Sequence, residues 1–136
     1  MKFLLVNKKD KLDTNRLEKV AQAASSILGR KKGEIELIFV SADKIKELNR
    51  NYRHSDEITD VLSFQIEEDP LIGQIFLCYT RAKERAEKRK TNLDEEIIRL
   101  LVHGITHLCG FDHHDSKSSQ TMFEREDLIL KKVKRL

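Results

Sequence analysis

The sequence holds a single proline in 136 residues, which excludes a collagen-like repeat or a Pro-rich disordered segment. Its two cysteines, Cys78 and Cys109, are too few for a disulfide framework and point to no oxidising compartment. No apolar run approaches the ~18 residues of a membrane span. The opening stretch Phe3-Leu4-Leu5-Val6 returns to charge too soon for a signal peptide. The expected setting is cytoplasmic, with no membrane partner. Charge is plentiful but nearly balanced: 26 Lys and Arg against 23 Asp and Glu leave +3, which permits a nucleic-acid partner without demonstrating one. A chain of this length buries about two thirds of its unfolded surface, so residues 1–136 are read as one domain.

Hydrophobic periodicity predicts the elements. Phe3–Asn7 is a short apolar run suited to an opening strand. Asp13 or Thr14 caps a helix to about Leu28, with Leu17, Val20, Ala21, Ala24 and Leu28 inward and Gly29 as its left-handed stop. Glu34–Val40 has the β-branched, alternating character of a strand. Ser41 caps a second helix to about Asn51 that turns Ile45 and Leu48 inward.

After a polar loop, Val61–Ile66 and Gly73–Tyr79 are strands joined through Glu67–Pro70, a connection too short for a crossover helix, so they pair antiparallel. Thr80 opens a charged helix to about Lys90, and Asn92 with Glu95 forms a capping box for a helix ending at Gly110. A last helix, about Ser118 to Val133, is expected to bury Met122, Phe123, Leu128 and Ile129. The order β-α-β-α-β-β-α-α-α defines an α+β fold, with about four strands in a mixed sheet packed by about five helices.

Chemistry concentrates in one segment, His103-Gly104-Ile105-Thr106-His107-Leu108-Cys109-Gly110-Phe111-Asp112-His113. His103 and His107 are one helical turn apart on the same face. They lie just beside the apolar stripe of Leu93, Ile97, Leu101, Ile105 and Leu108. Gly110 can stop the helix and swing His113 back as a third imidazole. Three neutral nitrogens with an open fourth position are the arrangement of a catalytic zinc site. Cys109 falls on the far side from His107 and reads as a small buried hydrophobe. Metzincin proteases share this spacing, but the residue after the first histidine, their general base, is here Gly104. The zincin-like helix and loop are present; the protease base is not.

The segment resembles the H-G-x-x-H-L-x-G-[YF]-D-H signature of the bacterial YbeY family of metal-dependent endoribonucleases. Leu48-Asn49-Arg50-Asn51-Tyr52-Arg53, followed by Thr59-Asp60-Val61-Leu62-Ser63-Phe64, is similar to that family's second pattern. The resemblance covers nearly the whole chain. Departures are Gln74, where members carry Asp, and Ile58 and Gln65, where they carry proline. Gln74 thereby removes a carboxylate that would have been a candidate base or histidine partner.

The resemblance implies cleavage of single-stranded RNA in ribosomal RNA processing, including maturation of small-subunit (16S) RNA and ribosome quality control. It also implies ribosomal or small-subunit protein partners. His103, His107 and His113 are then the metal ligands, with Zn2+ the expected ion. Arg53 is placed opposite them, where a guanidinium matches the two oxygens of a phosphodiester. Asp60 is a candidate for holding a ligand histidine or Arg53 in place, or for capping backbone amides; Asp112 is a second candidate for holding a histidine, and the sequence does not choose between them.

His54, His114 and Asp115 have no assigned task, and the basic stretches Arg81–Lys90 and Lys131–Arg135 read first as solvated helix faces, with RNA-backbone contact second. Two rival classes stand beside the nuclease: a zinc metallopeptidase or other zinc hydrolase, disfavoured by Gly104, and a non-catalytic ribosome-assembly factor with a structural metal.

Overall fold

Alternation of period two governs Glu34–Val40, where Ile35, Leu37 and Phe39 are buried and their neighbours are half-exposed. The computed structural model describes residues 1–7, 12–52, 60–111 and 115–135. Among them run β1 (Lys2–Val6), α1 (Thr14–Leu28), β2 (Glu34–Val40), α2 (Ala42–Tyr52), β3 (Val61–Glu68), β4 (Leu71–Cys78), α3 (Tyr79–Arg89), α4 (Leu93–Leu108) and α5 (Ser116–Arg135). The sheet order is β1-β2-β4-β3; β1, β2 and β4 are parallel, and β3 pairs antiparallel with β4. The expected mixed sheet and five helices are therefore observed.

Helix ends follow local chemistry. Asp13, rather than Thr14, caps α1, its carboxylate accepting from the amides of Asn15 and Arg16. Gly29 ends that helix at φ 73°. Ser41 Oγ accepts from the Lys44 amide at the start of α2, and Asn92 Oδ1 from the Glu95 amide at the start of α4. Asp115, left without a task by the sequence, caps α5 by accepting from the Ser118 amide at 2.7 Å. That cap starts the last helix two residues earlier than expected, at Ser116.

Other boundaries are corrected. The hairpin is tighter than the sequence predicts: β3 runs on to Glu68 and β4 begins at Leu71. An irregularity between Gln65 and Glu68, with Glu67 at φ 52°, lets the ladder resume beyond the apolar run. Helix α3 starts at Tyr79, one residue before Thr80. In α5, Met122 and Ile129 are buried as expected, but Phe123 is 63% and Leu128 45% exposed. Met122 and Ile129 are two turns apart on one stripe. Phe123 and Leu128 each sit about 100° off it.

The sheet has two unlike faces. Ile45 and Leu48 of α2 pack with Leu62 and Cys78 on one. The other carries the main core, where α1, α4 and α5 meet Val61, Ile75 and Leu77. Helix α4 is apolar almost all round, since Ile97, Ile98, Leu100, Leu101, Val102, Ile105 and Leu108 are all buried. This is broader than the single stripe expected from sequence, because helices flank α4 as well as the sheet beneath it.

Two glycines set how closely α4 sits. A Cβ on Gly73 would lie 2.4 Å from the Phe64 carbonyl oxygen and 2.7 Å from Leu108 Cδ2. A Cβ on Gly104 would meet Ser63 Oγ at 3.0 Å and Ile75 Cδ1 at 3.1 Å. The first contact includes rigid backbone; the second needs a shift of only a few tenths of an ångström. Gly73→Ala should therefore lose about 1–3 kcal/mol from overpacking. In Gly104→Ala, helix propensity returns about 1 kcal/mol and leaves stability nearly unchanged. Chemical denaturation of both variants checks this, and equal losses would contradict it.

Candidate metal centre

The C-terminal half of α4 carries His103 and His107, and its closure determines where the chain goes next. The Phe111 amide donates to the Thr106 carbonyl and the Gly110 amide to the His107 carbonyl, with Gly110 at φ 96°. These are the paired bonds of a Schellman closure, which needs a left-handed residue at Gly110. Two side chains of β3 fasten the helix from below: Ser63 Oγ donates to the Gly104 carbonyl and Gln65 Nε2 to the Leu108 carbonyl. Gln65, a departure from the family pattern, thus satisfies one of the carbonyls that a helix end leaves unpaired.

His103 and His107 meet edge to face, with ring centroids 4.7 Å apart. Glu126 of α5 approaches His103 Nδ1 at 2.7 Å through its Oε1. The pair is only about one fifth exposed on each side. A carboxylate on Nδ1 selects the tautomer with hydrogen on that atom and leaves the Nε2 lone pair for a ligand. The two imidazoles fit a metal ion in donor type and spacing, and His103 in tautomer as well.

His113 and Arg53 lie outside the described residues, as do Asp112, His54, Ile58 and His114. Among the described residues, no three metal-ligating side chains gather.

Asp60 is 2% exposed, and its carboxylate pairs with Arg85 of α3. Its backbone carbonyl accepts from the Cys78 amide. Arg85 is a partner that the sequence did not suggest. On the other side of residues 53–59, Tyr52 packs edge-on against Phe64 with centroids 5.8 Å apart.

Glu126 was missed as well. The signal for it is its place between Met122 and Ile129 on the buried stripe of α5, where a carboxylate requires a partner.

Gln74 lies on the opposite face of the sheet from α4. Strand alternation puts Gly73, Ile75 and Leu77 toward α4, and Gln74 and Phe76 toward α2. Gln74 Nε2 donates to Glu36 Oε1 at 3.2 Å. The missing carboxylate would not have faced His103 or His107.

Gly104 faces β3 and β4, so a glutamate there would press against Ser63 and Ile75. Cys109 is half-buried beside the core rather than fully enclosed, and burial pushes its thiol up, away from the reactive thiolate.

Fold and site together define a class: an α+β domain whose central helix carries an H-G-x-x-H pair steadied by a carboxylate from the last helix. Comparison with known proteins gives the class its name. The family model described as Endoribonuclease YbeY matches residues 4–134. The chain belongs to the YbeY family of endoribonucleases, enzymes acting on RNA. It is 34% identical to Endoribonuclease YbeY of Thermotoga petrophila over 123 residues, covering 88% of this chain and 82% of that protein. Identity to the Aquifex aeolicus protein of the same name is 35% over 137 residues, covering 97% and 91%. The solution structure of TM1509 from Thermotoga maritima superposes with a TM-score of 0.65 at 32% identity, over 98% of this chain and 89% of that one.

Restoring the family's usual residue tests the face assignment. Gln74→Asp places a second carboxylate directly across from Glu36, its cross-strand neighbour. Such like-charged pairs are destabilising, by roughly 0.2–1 kcal/mol on the scale of cross-strand pairs. The expected outcome is a slightly lower melting temperature with unchanged RNA cleavage. Altered cleavage at unchanged stability would refute the assignment.

Proposed function

We propose that this chain is a zinc-dependent endoribonuclease that cuts single-stranded RNA during ribosomal RNA processing in the cytoplasm. Maturation of the 3′ end of small-subunit RNA and ribosome quality control are its setting, and the small subunit and its proteins are its partners. His103, His107 and His113 hold one Zn2+, and Arg53 grips the scissile phosphodiester. The observation that carries the metal assignment is the 2.7 Å contact between Glu126 Oε1 and His103 Nδ1. Membership of the family carries the RNA substrate.

When bound, the ion polarises a phosphoryl oxygen and lowers the pKa of its water. The chain's own residues supply the rest. Glu126 holds the His103 ring and its tautomer, so that Nε2 is committed before the ion arrives. The glycine closure at Gly110 ends α4 at Leu108, one residue after His107. In the chain Arg53 follows Tyr52, which packs on Phe64, and precedes Asp60, which pairs with Arg85. A guanidinium there binds the phosphodiester oxygens and stabilises charge that develops during cleavage. Gly104 provides no carboxylate for peptide hydrolysis, which leaves the metallopeptidase alternative without its base.

Metal content and cleavage of single-stranded RNA before and after chelation test the proposal. About one zinc per chain is expected, with cleavage abolished by chelation and restored by zinc. Bound metal with no cleavage would overturn the catalytic assignment; no metal after reconstitution would overturn the site. His107→Ala should lose cleavage while keeping its fold and RNA affinity.

A separate outcome concerns Glu126. Glu126→Ala should weaken zinc binding about 10–100-fold, measured by competition with a chromophoric chelator. Glu126→Gln, which still offers an acceptor to Nδ1–H, should retain most of the affinity.

A further inference from the structure

A cleft of about 400 Å³ opens where the N-terminal half of α4 meets the C-terminal end of α5 and the start of α1. Arg16, Lys19, Arg89, Arg99 and Lys134 line it above a floor of Ile98, Leu130 and Val133. Glu95 and Glu96 also line it, and Asp94 approaches Arg16 at 3.8 Å. Five cations against three carboxylates leave the cleft net positive.

The most buried of those acids orients a cation rather than merely cancelling it. Glu96 is 2% exposed and holds Arg99 by Nη2 at 2.7 Å and Nε at 3.5 Å. Both bonds use one edge of the guanidinium, leaving its Nη1 end for an outside ligand.

Position links this cleft to the histidines. Arg99, His103 and His107 recur at intervals of four residues along α4, so they share one face. One such interval advances about 6 Å along a helix axis. A phosphodiester strand engaged at His103 and His107 that runs toward the start of α4 reaches Arg99 next and then the other cations. We infer that this cleft is a track for the RNA strand flanking the scissile phosphate. Its cations take phosphates, and its apolar floor takes ribose and base faces. The inference rests on the endoribonuclease reading and extends it from the cut to the path of the substrate.

Binding, rather than cleavage, is the decisive readout. The full-length protein is titrated with a fluorescent 2′-O-methyl oligouridine strand across a series of salt concentrations. Lys19→Ala/Lys134→Ala should weaken binding and reduce the salt slope by about 1.4, at ~0.7 for each phosphate that a cation no longer neutralises on a single strand. The control, Lys44→Ala/Lys46→Ala, removes the same charge from α2 on the opposite face of the sheet and should leave the slope unchanged.

Equal reductions in both variants would overturn the track in favour of diffuse attraction. An unchanged slope in the cleft variant would overturn it too, leaving the cleft to a protein partner. A slope difference in a protein that fails to cut RNA would uphold the track and remove only the enzymatic reading.

Discussion

Close seating of α4 on the β3–β4 hairpin is the constraint from which the rest of the structure follows. The helix lies against the sheet where Gly73 and Gly104 carry no side chain. Two hydrogen bonds from β3, Ser63 to the Gly104 carbonyl and Gln65 to the Leu108 carbonyl, fix its height and rotation. Around this seat the apolar residues of α4 complete the core shared by the sheet, α1 and α5. Each large aliphatic side chain so buried stabilises by about 1.5–3 kcal/mol. The hydrogen bonds are individually weaker, about 0.5–1.5 kcal/mol, but they are directional. Apolar burial holds the helix down; the polar contacts decide which side faces up.

That rotation governs the chemistry. With Gly104 turned to the sheet, His103 and His107 fall toward α5, where Glu126 meets the first of them. The same rotation continues the polar face back through Arg99 to Glu96. Two of the three proposed metal ligands and the first cation of the proposed RNA track thus lie along one helix. A scaffold of this kind positions side chains more closely than loops do.

Much of the fold was legible because its signals are local. Alternation fixed the extent of Glu34–Val40, and Gly29, Ser41 and Asn92 marked helix ends through their own backbone and side-chain chemistry. Partners distant along the chain were less visible. Glu126 and His103 are 23 residues apart, and Arg85 reaches Asp60 across the hairpin. Nothing in either spacing announces the contact. Exposure of Phe123 and Leu128 was misjudged for a related reason: which stripe of α5 faces inward depends on the neighbours it packs against. The histidine pair was legible because a helix brings residues four apart together whatever surrounds it. The faces of β3 and β4 became clear only with the sheet in view, which is why Gln74 looked closer to the chemistry than it lies.

Strand order carries a consequence for synthesis. In β1-β2-β4-β3 the last strand made occupies an interior place, between β2 and the strand that precedes it. Until residues 71–78 have emerged, β2 has one open edge and β3 has no neighbour in the sheet. Such an edge invites pairing with other chains. The hairpin must then dock against β2, and α4, which seals the core, emerges later still. Contacts between segments far apart in sequence slow folding, because loop closure precedes their reward. A nascent chain therefore remains uncommitted until its histidine helix has left the ribosome and α5, which shares the same core, has followed it.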